Sequence, residues 1–141
     1  MPAVVPVGAS VTLKSSDKTV TTGVAGESLA AGSMVYRKVA DGKWWLAVNT
    51  IDMSDATVVS GMGVALSPSD SADDAAIVAA ESGSEIDLGT TMDKDTHYPI
   101  SGSGGTLEEY ADMTAGEYIN WWGYGNGSNL ILDPQATGLT K

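Results

Sequence analysis

The sequence predicts a mainly β protein, a compact antiparallel β-barrel or sandwich built from two similar half-units with an extended N-terminal arm. Three observations carry that expectation: the composition, a series of short β-rich runs, and the turn chemistry between them. The 141 residues include 17 Gly and no Phe. Ala, Val, Gly, Ser and Thr dominate, a mix that favours short strands and frequent turns over long helices. The length suits a single domain, which buries roughly 70% of its unfolded surface and needs no metal or disulfide staple.

The arm comes first, in residues 1–24, MPAVVPVGASVTLKSSDKTVTTGV. Pro2 and Pro6 hold their neighbours extended and remove two ladder donors. Val4, Val5 and Val7, then Val11 and Leu13, place apolar side chains along an extended strip. This segment reads as an arm or edge strand, disordered alone and able to add a strand to a neighbour. A single β domain over residues 25–141 follows it.

Within that domain the apolar pattern has strand period. SMVYRKV, WWLAVNT, TVVSGMGVAL, AAIVAA, EYINWWGYG and NLILD are short and rich in Val, Ile, Trp and Tyr. Between them lie ADGK, SPSDSADD, ESGS, SGSGG and GNGS, all turn formers. Asp41-Gly42 between two β-rich runs is a hairpin signal. LEEYADM (107–113) is a candidate short helix. SADDAAIVAAE (71–81) could also be helical, but its continuous apolar run favours a loop feeding a strand.

The two halves resemble each other. Tyr36, a turn at Gly42, Asp52-Met53, Val58-Val59 and Gly63 line up with Tyr98, Gly104-Gly105, Asp112-Met113, Tyr118-Ile119 and Gly123. The step from Asp52 to Gly63 and that from Asp112 to Gly123 are both eleven positions. Two similar β-units would then pack into one barrel or sandwich.

Charge narrows the partners. Residues 1–43 carry five basic and three acidic side chains, a balance of +2, and residues 44–141 carry two against fifteen, a balance of −13. A body so acidic repels phosphate backbones, so nucleic acid is not an expected partner. A mildly basic face that docks and an acidic face left in solvent fit the asymmetry. With no Cys there is no disulfide framework and no thiolate chemistry. The N-terminus lacks a positive start and no long apolar stretch exists, so a soluble, unprocessed chain without membrane contact is expected.

Catalytic patterns are not found. His97 stands near Asp93 and Asp95, but one imidazole and two flexible carboxylates are a thin ligand set, and a surface His before a strand is the expected role. SGSGG lacks the Lys-Ser/Thr of a phosphate loop, and GYGNGSN does not open a helix. Asp70, Asp73 and Asp74 read as a solvated loop. The adjacent Glu108 and Glu109 point apart and cannot flank one bond. A non-enzyme with no cofactor and no metal is expected.

The doubled tryptophans, Trp44-Trp45 and Trp121-Trp122, are the unusual feature. Neighbours on a strand face opposite ways, so one of each pair should enter the core and the other point out. An outward Trp buries much area at small entropic cost, which suits binding or assembly.

AGESLAAGSMVYRKVADGKWWLA, followed by GMGVALSPSDS, resembles a motif of small phage capsid decoration (cement) proteins. The second half is similar to their continuation, with a Tyr-containing strand, a Gly turn, an acidic-apolar step, a strand ending at Gly and a final ATG. The resemblance covers about residues 25–138; the doubled tryptophans and the arm fall outside it. It implies a β-barrel-like homotrimer on the outer surface of the virion, made in the host cytoplasm, that binds the major capsid protein and braces its subunits. On that reading Val4, Val5, Val7 and Lys14 dock on the capsid, and the outward members of Trp44, Trp45, Trp121 and Trp122 meet between copies. The alternative is a carbohydrate-binding β-module, a fibre-tip or adhesin domain, using exposed tryptophans with Asn126 and Asn129 as sugar partners.

Overall fold

The computed structural model describes residues 5, 7, 8 and 11–141; Val4 therefore lies outside the described residues. Ten strands are present among them. In chain order they are β1 (Thr12–Leu13), β2 (Thr21–Val24), β3 (Met34–Lys38), β4 (Trp44–Leu46), β5 (Val59–Ala65), β6 (Ala75–Ala79), β7 (Glu85–Asp87), β8 (His97–Pro99), β9 (Tyr118–Gly125) and β10 (Leu130–Thr140). They form two antiparallel five-stranded sheets, ordered β1-β7-β10-β9-β8 and β2-β6-β5-β3-β4. The sheets pack as a sandwich, and neither closes into a barrel. Among the described residues no helix is long and apolar enough to cross a membrane.

The half-units repeat one topology. β2, β3, β5 and β6 stand in the spatial order first, fourth, third, second, and β7, β8, β9 and β10 stand in the same order. Each unit sets a short return segment beside its second strand: β4 beside β3, and a single pairing of Leu107 with Ile100 just after β8. Each carries one extra residue in its third strand, Ser60 in β5 and Trp122 in β9. Tyr36 and Tyr98, matched in the sequence repeat, are both buried between the sheets.

Alternation along the strands builds two apolar clusters. Met34 and Tyr36 face the first sheet, where Tyr98, Trp122, Leu130 and Leu132 meet them. Val35, between them in sequence, faces the other way and joins Ala25, Leu29, Trp44, Ala65, Ala76 and Val78. The outer face of the second sheet is thus a core of its own. A parallel bridge from Ala25 to Trp44, and the Gly26 N–H donating to the Trp44 carbonyl at 2.8 Å, draw the sheet's two edges together around it.

Within residues 1–24, β1 forms one edge of the first sheet and β2 one edge of the second. Ahead of them the Val5 N–H donates to Leu107 O at 2.8 Å and the Gly8 N–H to Leu88 O at 2.7 Å. The described part of this segment lies on the chain's own body.

Two local expectations resolve differently. Residues 107–113 form only a 3-10 turn at Tyr110–Asp112. The Leu107 carbonyl accepts from the Val5 N–H instead of from residue 111, and the Glu108 N–H ties the segment to Pro99 of β8. Residues 75–79 form β6, as the continuous apolar run suggests, because Ala76 and Val78 enter one cluster and Ala79 the other.

Candidate aromatic docking site

The four tryptophans occupy four different environments. Trp122 is fully buried in the main core, and its Nε1–H donates to Gly63 O at 2.9 Å. Trp44 is buried in the second cluster, its ring seated against Gly61 with the Arg37 guanidinium 5.7 Å from the ring centre. Trp44 and Trp122 therefore cannot meet another copy in this fold; Trp45, opposite Tyr36, packs against the main core, so the first pair has no outward member and Trp121 alone points out.

Trp45 is half-buried and engaged on every side. Gly26 has no Cβ because the Trp45 ring fills that space. Lys38 Nζ stands 3.9 Å from the ring centre, and Trp45 Nε1–H donates to Asp41 Oδ2 at 3.1 Å. The Asp41 carboxyl is held below its ordinary range mainly by the Lys43 N–H, with Trp45 contributing.

Trp121 is half-buried among other aromatic rings. Tyr110 lies 5.8 Å away at a 56° tilt, and His97 stands edge-on at 6.2 Å. Tyr124 extends the group, 5.6 Å from His97. Tyr110 is 40% exposed, and Lys141 Nζ sits 4.6 Å from its ring centre. The same ammonium donates to Tyr110 O at 2.8 Å and Met113 O at 3.0 Å, clasping the end of β10 to the 3-10 turn.

A β-bulge assembles this patch. Strict alternation would put Trp121 and Tyr124, three apart, on opposite faces. Across from β9, however, Tyr98 pairs with Gly123 and Pro99 with Trp121, so Trp122 is the extra residue. Trp122 and Gly123 both turn inward, and Trp121 and Tyr124 share the outer face with His97. Gly123 is required at this point because a Cβ would strike the Ile131 carbonyl of β10. Sequence reasoning found Trp121 but missed Tyr110 and Tyr124. The glycine inside a strand pattern was the available signal of a bulge.

The remaining candidates are placed as follows. Val5 and Val7 line a groove of about 480 Å³ with Gly32, Leu46 and Gly105, and the Lys14 backbone N–H joins Glu85 O at 2.8 Å. Asn126 and Asn129 both donate to Glu85 Oε2, at 3.0 and 2.6 Å, and Asn126 Oδ1 accepts the N–H groups of Ser128 and Asn129. These amides shape the 125–129 turn and are occupied. Among the described residues no three His, Asp or Glu side chains gather as a metal site.

The geometry offers a surface of tilted rings with polar rims and one ammonium, suited to covering an apolar or flat group of a partner. No known protein family, curated protein or solved structure matches the chain.

Proposed function

We propose that this protein is a non-catalytic structural component that binds the outside of a phage capsid as a trimer and bridges its subunits. The observation that carries the reading is the patch of Tyr110, Trp121, His97 and Tyr124, which the fold leaves at the surface after both cores are complete. Such rings supply large contact area with little rotamer entropy to lose. The sequence resemblance over residues 25–138 supplies the class of partner. A net charge of −11 supports the same role, because particles covered with many copies would repel one another.

The test is direct. Antibodies against the purified chain should label the outside of intact particles of the virus that encodes it. Particles made without the chain should lose their genome more readily on osmotic shock. Light scattering should give a trimer mass for the wild type and a lower mass or lost particle binding for Trp121→Ser. Unlabelled particles would refute the capsid reading. Labelled particles with an unchanged Trp121→Ser phenotype would move the contact elsewhere on the molecule.

A further inference from the structure

Two residues before Tyr110 in the chain, Glu108 belongs to a polar pair that the docking reading does not use. Glu108 and Asn49 are both fully buried. Asn49 Nδ2 donates to Glu108 Oε1 at 3.3 Å, a long contact. The second carboxyl oxygen, Glu108 Oε2, and the amide oxygen, Asn49 Oδ1, have no hydrogen-bond partner among the described residues. Both are acceptors, and buried acceptors without donors are strongly unfavourable. A single proton resolves both. A carboxylic acid and a primary amide close a ring of two hydrogen bonds, with the amide N–H to one acid oxygen and the acid O–H to the amide oxygen.

We propose that Glu108 and Asn49 form a proton-gated latch. The neutral carboxyl donates from Oε2 to Asn49 Oδ1, and loss of that proton releases residues 107–113 and with them the Tyr110 side of the aromatic patch. No other reactant takes part: the proton leaves to solvent and returns from it.

The surroundings favour the neutral form. Burial raises the affinity of Glu108 for its proton, and the carboxylates of Glu117 and Asp112 raise it further. The Asn49 amide and the Lys141 ammonium oppose them and lose. Glu117 stands just before β9, Asp112 lies in the 3-10 turn and Lys141 follows β10, while the loop bearing Asn49 contributes its neutral amide. Glu117 and Asn49 also converge at Gly102, where an added Cβ would lie 3.3 Å from Glu117 Oε2 and 3.5 Å from Asn49 Oδ1.

The link to the patch is short and covalent. Tyr110 is two residues beyond Glu108, its ring rests on Trp121, and its carbonyl is one of the two held by Lys141. An ionised Glu108 can gain water only if residues 107–113 lift, and lifting them separates Tyr110 from Trp121. The proposal rests on the docking reading only for what the patch binds. The latch itself is tested without a partner.

The experiment uses the full chain. Carboxyl carbon NMR of glutamate-labelled protein should show one Glu titrating well above the others, and that resonance should vanish in Glu108→Gln. The Gln variant keeps a donor and an acceptor where the latch needs them. Amide exchange at residues 110–113, corrected for the intrinsic pH effect, reads the coupling. In the wild type, protection should fall roughly tenfold per pH unit above about pH 4.3 until Glu108 has ionised. In Glu108→Gln it should stay flat. A Glu108 that titrates with the ordinary glutamates, or protection that does not move with pH in the wild type, would overturn the proposal. Both wild-type readouts decide the matter even if the variant fails to fold.

Discussion

The two tryptophan pairs sit in half-units of the same topology, yet the fold uses them differently. In the first pair both rings are taken up by the protein itself. Trp44 fills the second cluster, and Trp45 is boxed in by Gly26, Lys38 and Asp41. In the second pair only Trp122 is taken up, and Trp121 is left among surface aromatics. Two causes separate them. The second sheet curls far enough to build a core on its outer face, which the first sheet does not do. The bulge at Trp122 then turns a second aromatic, Tyr124, to the same outer face as Trp121. Repeated sequence therefore gives repeated topology without repeated use, because local register decides which face a side chain meets.

Breaking the buried member of the second pair should have the largest effect. Trp122→Ala removes a fully buried ring and the donor to Gly63 O, and large-to-small changes of this kind cost about 3–5 kcal/mol. Chemical denaturation should record that loss. A loss under about 1 kcal/mol would mean that the main core does not depend on this ring. Next in size is Gly123→Ala, whose Cβ would meet the Ile131 carbonyl, a backbone atom that cannot swing away. Overpacking here should destabilise by about 1–3 kcal/mol. It should also shift the Trp121 and Tyr124 ring resonances, because the bulge that aims them is distorted. Unchanged ring shifts would separate the bulge from the patch.

The sandwich was legible in the sequence because six of the ten strands are carried by runs whose apolar period matches a pleated surface. SMVYRKV and AAIVAA contain β3 and β6 almost to the residue. The repeat was legible too, since Tyr36 and Tyr98 fill matching places in the core. β7 and β1 were missed or left vague because strands of two or three residues carry no period to read. The patch was half visible. Trp121 stands out by type, but its companions depend on a register shift and on a turn at Tyr110 brought close by long-range pairing. Glu108 was read only as one of two adjacent carboxylates that point apart. Nothing in LEEYADM indicates that Asn49, 59 positions away, covers it.

Within the second half-unit two carboxylates respond to pH in opposite ways. Asn129 and then Asn126 hold the Glu85 carboxyl below its ordinary range, so it prefers to be ionised in the fold. Its contribution is present above the unfolded value, about pH 4.3, and fades as pH falls through the lower folded value. Burial puts Glu108 on the opposite slope. Its contribution is full below about pH 4.3 and declines as pH rises towards its raised folded value. Glu85→Ala should therefore lower the denaturation midpoint at neutral pH and flatten the acid limb. Glu108→Gln should raise the midpoint at neutral pH and remove the decline. Denaturation profiles from about pH 3 to about pH 8 would show both. Parallel responses of the two variants would overturn the assignment of opposite environments.

The smallest effect on stability is expected where the functional consequence is greatest. Trp121→Ser removes a half-buried ring whose neighbours are themselves at the surface, and losing such aromatic contacts costs about 1 kcal/mol. Trp45→Ser should cost more, because the Lys38 and Asp41 contacts go with the ring and the packing on Gly26 is lost. Docking should show the reverse order: nearly abolished in Trp121→Ser, close to wild type in Trp45→Ser. Measuring folding midpoint and partner or self-association on the same two samples separates the roles. If Trp45→Ser were the variant that lost association, the working face would lie on the second sheet, and the bulge in β9 would be a packing device alone.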